Sequence, residues 1–192
     1  AVGLQAAEKA KIIPGETALV MGCGPIGLVI ALTALAGGCS KVFIADIANE
    51  KLRMCENYKN LIPIDLNKDN PIEVIKKNTN NWGANIIFEA SGATKAYDVI
   101  FDSICPAGRV VIVGNPMNSV PMDFATLLTK EIEIKTVFRY AHQYERAINL
   151  LSSNKIDVKP MITDTVAFDD SIKAFERAAK NLPEDVKIQI RL

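Results

Sequence analysis

Largely apolar residues recur along this chain in short runs, at 18–21, 41–45, 61–66, 84–88 and 108–113, each followed by a glycine or a polar residue. Runs that are apolar throughout, rather than at alternate positions, suit central parallel strands covered by helices on both faces. Between them lie stretches of helical character at 28–35, 49–58, 71–77 and 94–103. Asn70 caps the third of these, and Pro71 takes its first position, where a missing N–H costs nothing. From Glu131 the sequence EIEIKTVF sets Ile132 and Ile134 on one face and supplies a sixth strand. The alternation predicts an α/β fold, a doubly wound parallel sheet of about six strands. Right-handed crossovers then bring the strand ends Gly22, Asp46, Ser91 and Gly114 to one edge of the sheet, where ligands bind in open α/β folds.

The first strand ends in Gly22-Cys23-Gly24-Pro25-Ile26-Gly27 and runs at once into a helix. The spacing of Gly22, Gly24 and Gly27 fits the dinucleotide-binding fingerprint of Rossmann-type folds, in which each glycine has its own steric task. Gly22 makes the tight turn, Gly24 lets the backbone approach a pyrophosphate, and Gly27 lets helix and strand pack closely. The helix opening near Pro25 offers free N–H groups and the positive end of its dipole to an anion. A glycine cluster alone is weak evidence, since ordinary turns contain them. Here the second strand ends in Asp46, roughly 20 residues on, where the fingerprint places the acid that holds the adenosine ribose. A carboxylate there accepts from ribose hydroxyls and repels a 2′-phosphate, and Ile47 supplies no arginine. NAD is therefore favoured over NADP, with Lys51 and Arg53 close enough to keep the second open. Ser91, Gly92 and Gly114 read equally well as turn residues, and the shared sheet edge is what makes them site candidates.

Beyond these runs, residues 120–128 are fairly apolar and contain Pro121, which favours an edge position. An apolar edge needs cover, and a homo-oligomer interface would give it. Past Tyr140 come a helix at 143–151, an extended run at 161–168, a helix at 169–180 and a last strand, VKIQIRL. In that strand Val186, Ile188, Ile190 and Leu192 share a face, so it is half buried against something. The nucleotide fold is complete by then, which predicts two units, 1–140 and 141–192. The second belongs to another sheet whose remaining strands lie outside these residues.

Composition narrows the function by exclusion. The chain has 192 residues, 49% of them hydrophobic and 23% charged, with 22 basic and 22 acidic side chains. That balance gives no electrostatic case for nucleic acid. The longest apolar run is too short and interrupted to cross a bilayer, and the N-terminus lacks a signal-peptide layout, so a cytoplasmic protein without membrane partners is expected. Cys23, Cys39, Cys55 and Cys105 are scattered with no C-x-x-C pair, which argues for buried thiols rather than zinc or disulfides. His142, the only histidine, has no second ligand at helical or turn spacing and reads as a surface residue.

The glycine bend, the strand ending in Asp46, the run VIVGNP and above all VFRYAHQYERAINLLSSNKIDVKPMIT closely resemble the zinc-dependent medium-chain dehydrogenases of the sorbitol and xylitol branch. The likeness extends from Val2 to Leu192. It implies a nucleotide domain followed by the C-terminal piece of a GroES-like catalytic domain, with the zinc ligands in an N-terminal segment that these residues do not include. It also implies roles for particular residues. Ile26 lies beside the pyrophosphate, and Asp46 and Lys51 hold the adenosine ribose. Val113, Gly114 and Asn115 line the nicotinamide, Val137, Phe138 and Arg139 flank it, and Arg139 with Tyr140 reaches a polyol or ketose. The expected cofactor is NAD, with zinc only in a longer protein. The expected activity is hydride transfer between nicotinamide and a sugar alcohol, absent from this chain alone. An alcohol or threonine dehydrogenase, a non-catalytic NAD(H)-binding module and a methyltransferase using S-adenosylmethionine are the alternatives.

Overall fold

A computed structural model describes residues 1–180 and 182–192. The chain opens with helix α1 (Val2–Ala10), then alternates strand and helix: β1 (Thr17–Met21), α2 (Pro25–Ala36), β2 (Lys41–Asp46), α3 (Asn49–Leu52), β3 (Leu61–Asp65), α4 (Pro71–Asn78), β4 (Ala84–Glu89), α5 (Tyr97–Ser103) and β5 (Ile104–Ile112). A short helix α6 (Phe124–Thr129) precedes β6 (Glu133–Thr136). The six strands form one parallel sheet in the order β3-β2-β1-β4-β5-β6, the doubly wound arrangement that the apolar runs predict.

The reason those runs are apolar throughout is visible in the core. Ala18, Val20, Val42, Ile44, Ile86 and Phe88 point to one face of the sheet, where α1 and α2 pack. Leu19, Met21, Phe43, Ala45 and Ile87 point to the other, beneath α4 and α5. Successive strand residues serve opposite faces, and both faces are covered. Helix α2 is itself buried on several sides, lying between the sheet and α1; a methyl carbon at Gly3 of α1 would come within 2.5 Å of the Val29 carbonyl. One side chain fastens this outer layer to the sheet. Arg109 of β5, buried, donates from Nη1 to the carbonyls of Ala10 (2.8 Å) and Lys11 (2.7 Å) and pairs through Nη2 with Glu16.

The register puts Ala45, Met21, Glu89, Ile112 and Thr136 in one row across the sheet. The residues one step beyond this row therefore lie along a single edge, in the order Asp46, Gly22, Ala90, Val113, Val137.

Several local expectations are corrected. The helix expected at 49–58 is α-helical only to Leu52 and continues as a tighter 3-10 turn, Arg53–Asn57; the one expected at 94–103 begins with the 3-10 turn Thr94–Ala96. Strand β5 starts four residues earlier than Gly108, at Ile104, with an irregularity in its pairing to β4. The apolar stretch at 120–128 supplies no edge strand. Asp123 accepts the amides of Ala125 (3.0 Å) and Thr126 (3.1 Å) and caps α6, which stands outside the sheet with Phe124 and Leu128 exposed. On this side the sheet ends at β6, as it ends at β3 on the other.

The tail holds α7 (Tyr144–Ser152), β7 (Ile162–Ala167), α8 (Ser171–Ala179) and β8 (Lys187–Arg191). The partner of the last strand, expected outside these residues, is in the chain: β7 and β8 pair in parallel as a separate two-stranded sheet.

Candidate functional site

The edge where the parallel strands end is built from four bends in contact. Gly22 has φ of 102°, a conformation that L side chains rarely adopt, and its amide donates to the Ala45 carbonyl at 2.7 Å. A methyl carbon at Gly27 would sit 1.8 Å from the Gly22 carbonyl oxygen, so any side chain there would lever α2 off the bend. At Gly24 the same construction meets nothing within 4 Å. The three glycines thus divide as the fingerprint requires: one turns, one packs, and one faces open space. Gly24 is also the N-cap of α2 and supplies no capping side chain, leaving first-turn amides without a side-chain acceptor. The exposed Pro25 and Ile26 flank that opening.

Asp46 is more than the end of β2. Its Oδ2 accepts the Cys23 amide at 2.6 Å and its Oδ1 the Ala48 amide at 2.8 Å. The carboxylate therefore fixes the glycine bend against the second strand, and each oxygen keeps a lone pair for a hydroxyl. Behind the bend the Cys23 thiol donates to the Lys51 carbonyl at 3.4 Å and is buried beside Cys55. The neighbouring Cys55 thiol, and then burial, push its pKa far up, so it stays a thiol. All four cysteines are free and buried, as their scatter predicts. Lys51 is half buried on α3, one turn beyond the acid.

On the other side of β1, Gly22 abuts the backbone of Ser91, and Gly92, in turn, lies against the backbone of Asn115 and Gly114. Beneath this junction sits a residue to which the sequence reading gave no role. Glu89, the last residue of β4, is wholly buried. Its Oε1 accepts the amides of Ser91 (2.9 Å) and Gly92 (3.0 Å) and the Ser91 hydroxyl. Its Oε2 has no hydrogen-bond partner and occupies the space a Gly114 side chain would need, 2.4 Å from a methyl carbon built there. Leaving a buried acceptor unpaired costs about 1–3 kcal/mol. The available signal was an acid closing a largely apolar strand, ANIIFE.

The β6 exit, where the resemblance places Val137, Phe138, Arg139 and Tyr140, is the next along this edge. Val137 is buried in the core cluster on the α1 and α2 face, and its amide donates to Ile112 at 2.8 Å, extending the sheet. Phe138 is exposed, with the Arg139 guanidinium 5.1 Å from its ring centre, and the Tyr140 hydroxyl meets that of Tyr144 at 3.0 Å. These residues line a recess of about 350 Å³ between the β6 exit and α1. The structure brings Asp46, Gly22, Gly24, Ser91, Gly92, Gly114 and Asn115 together through direct contacts, and sets Phe138, Arg139 and Tyr140 at the next strand end, without hydrogen bonds to that cluster among the described residues. Among the described residues no group of three or more His, Cys, Asp or Glu side chains could hold a metal ion, and no helix is long and apolar enough to cross a membrane.

Residues 25–153 match the model of a family described as zinc-binding dehydrogenase. The chain belongs to that family. Among its curated relatives are the D-xylulose reductase of Morganella morganii, 42% identical over 94% of this chain, and the sorbitol dehydrogenase of Bacillus subtilis, 30% identical over 98%. Among solved structures, 2R,3R-butanediol dehydrogenase from Bacillus subtilis superposes over the full chain with a TM-score of 0.92 at 25% identity. The chain covers 53%, 54% and 55% of these three proteins, so it spans about half the length of each.

Proposed function

We propose that this chain binds NAD(H) and forms the cofactor-holding half of a polyol dehydrogenase acting on sugar alcohols such as xylitol or sorbitol and the matching ketoses. The observation that carries the reading is the glycine bend: Gly24 open to an approaching diphosphate, and Asp46 gripping the bend while keeping acceptor capacity for a ribose. The carboxylate also disfavours a 2′-phosphate, which supports NAD over NADP. Bound nicotinamide would supply the hydride-transfer chemistry at its C4 position. The protein's own residues would hold the adenosine end at Asp46 and Lys51, the diphosphate at Gly24 and the first turn of α2, and the second nucleotide across the switch point between β1 and β4, near Gly92, Gly114 and Asn115. The zinc of the family finds no ligand set among the described residues. The 192-residue chain is expected to bind NADH without oxidising xylitol or sorbitol by itself.

Titration of NADH by its fluorescence tests this. Hydrogen bonds to a charged group are worth about 1.5–3 kcal/mol, so Asp46→Asn is expected to weaken NADH roughly tenfold or more while narrowing the preference over NADPH. Unchanged NADH affinity in that variant would sink the reading, as would tighter binding of S-adenosylmethionine than of NADH.

A further inference from the structure

We propose that Glu89 is a positioning residue for the nicotinamide half of the cleft, acting through the backbone of two strand exits without touching the cofactor. The inference rests on the nucleotide-binding reading above. Dinucleotides lie across the point where the strand order reverses, one nucleotide on each side. Here that point is the gap between β1 and β4. Asp46 serves the β2 side, and the exits of β4 and β5 serve the other. Among the described residues Glu89 is the one carboxyl buried between those two exits, at 0% exposure. Its Oε1 gathers three donors from Ser91 and Gly92, which turns the chain sharply after β4 and gives Gly92 a φ of 69°. The backbone carbonyl of the same residue accepts the amides of Val113 (2.8 Å) and Gly114 (2.9 Å), so one residue fixes both exits. Its Oε2 fills the space next to Gly114 and keeps that bend flush against Gly92.

A residue needed only for folding could be an apolar side chain here, as at Phe88 and Ile87 beside it. An acid with an unpartnered oxygen is explained by the loop that its other oxygen shapes. The consequence is local. Removing the acceptor frees the Ser91-Gly92 bend and lets Gly114 shift, while the Asp46 side of the cleft is untouched.

The test separates the two sides of the cleft by titrating NADH and AMP into the chain and into Glu89→Gln and Glu89→Met. Glutamine keeps an acceptor at the Oε1 position and should hold NADH within about threefold of the parent, whereas methionine should weaken it at least tenfold. AMP, held on the Asp46 side, should change less than twofold in both. Equal losses for NADH and AMP, a methionine variant that binds NADH normally, or a glutamine variant as poor as the methionine one would each overturn the proposal. A parent chain that binds neither ligand would instead overturn the nucleotide-binding reading. Should the methionine variant fail to fold, amide exchange of the unsubstituted chain decides: the Ser91 and Gly92 amides should exchange slowly without ligand, and fast exchange of both overturns the assignment.

Discussion

Gly24 and Gly27, three positions apart, make opposite demands on an added methyl group. At Gly24 it meets open space, and its only structural penalty is at the N-cap, about 1 kcal/mol or less. Gly24→Ala is therefore expected to leave the melting temperature nearly unchanged while lowering NADH affinity at least tenfold, because the methyl stands where the diphosphate would approach. At Gly27 it collides with the Gly22 carbonyl. Gly27→Ala should destabilise the fold by more than the roughly 1–3 kcal/mol of ordinary overpacking, since a backbone atom cannot rotate away as a side chain can. Thermal melts alongside titrations check the pair, and a Gly24→Ala protein that binds NADH normally would speak against the cleft. These two roles were legible in the sequence because glycine spacing encodes sterics directly. Glu89 was not, because a buried acid is recognised only when its donors are seen, and Ser91 and Gly92 look like any turn.

Among the elements, the apolar strands were the most readable. β1, β2 and β4 have both faces buried, so their residues needed no alternation and they announce themselves by composition alone. Helix α6 was unreadable for the converse reason: its apolar residues are exposed, and what makes it a helix is one carboxylate at Asp123. That cap carries a pH signature. The Asp123 carboxyl is held below its ordinary value of 3.8, first by the Thr126 hydroxyl and then by backbone amides. A folded-state pKa below the unfolded one stabilises fully above the unfolded value and is lost as pH falls through the folded one. Amides of the first turn of α6 should therefore stay ordered down to about pH 4 and loosen only below 3.8, as amide chemical shifts can follow. A sturdier contact is the Arg109 pin. Arg109→Ala would leave Glu16 and two carbonyls without the guanidinium; removing one member of a fully buried pair costs about 3–5 kcal/mol, an upper bound for this part-buried one, measurable by urea unfolding.

At the scale of the whole molecule, the six-stranded sheet and the two-stranded one are unequal. The first has two buried clusters on its faces, whereas the second is a parallel pair, an arrangement of marginal stability by itself, that joins the first cluster only through Met161 and Val186 at its flanks. Ion pairs from Arg177 to Asp164 (2.7 Å) and Asp185 (2.6 Å) clamp β7 to the turn before β8. Amides of β7 and β8 are expected to exchange well before those of β1 and β4, and equal protection of the two sheets would contradict this. The sequence showed the alternation of the last strand but not its partner. The run at 161–168 has no regular period, so only the folded chain reveals that it pairs with β8.

The Arg109 pin also sets a timetable. Its acceptor at Ala10 lies 99 residues earlier in the chain, so during synthesis at about 5–20 residues per second the first helix leaves the ribosome several seconds before the guanidinium that must clasp it. Through that interval the small apolar face of Ala6 and Ala10 has only α2 to lean on. A nascent chain carrying these residues would therefore remain open to chaperones or proteases at α1 until β5 is made.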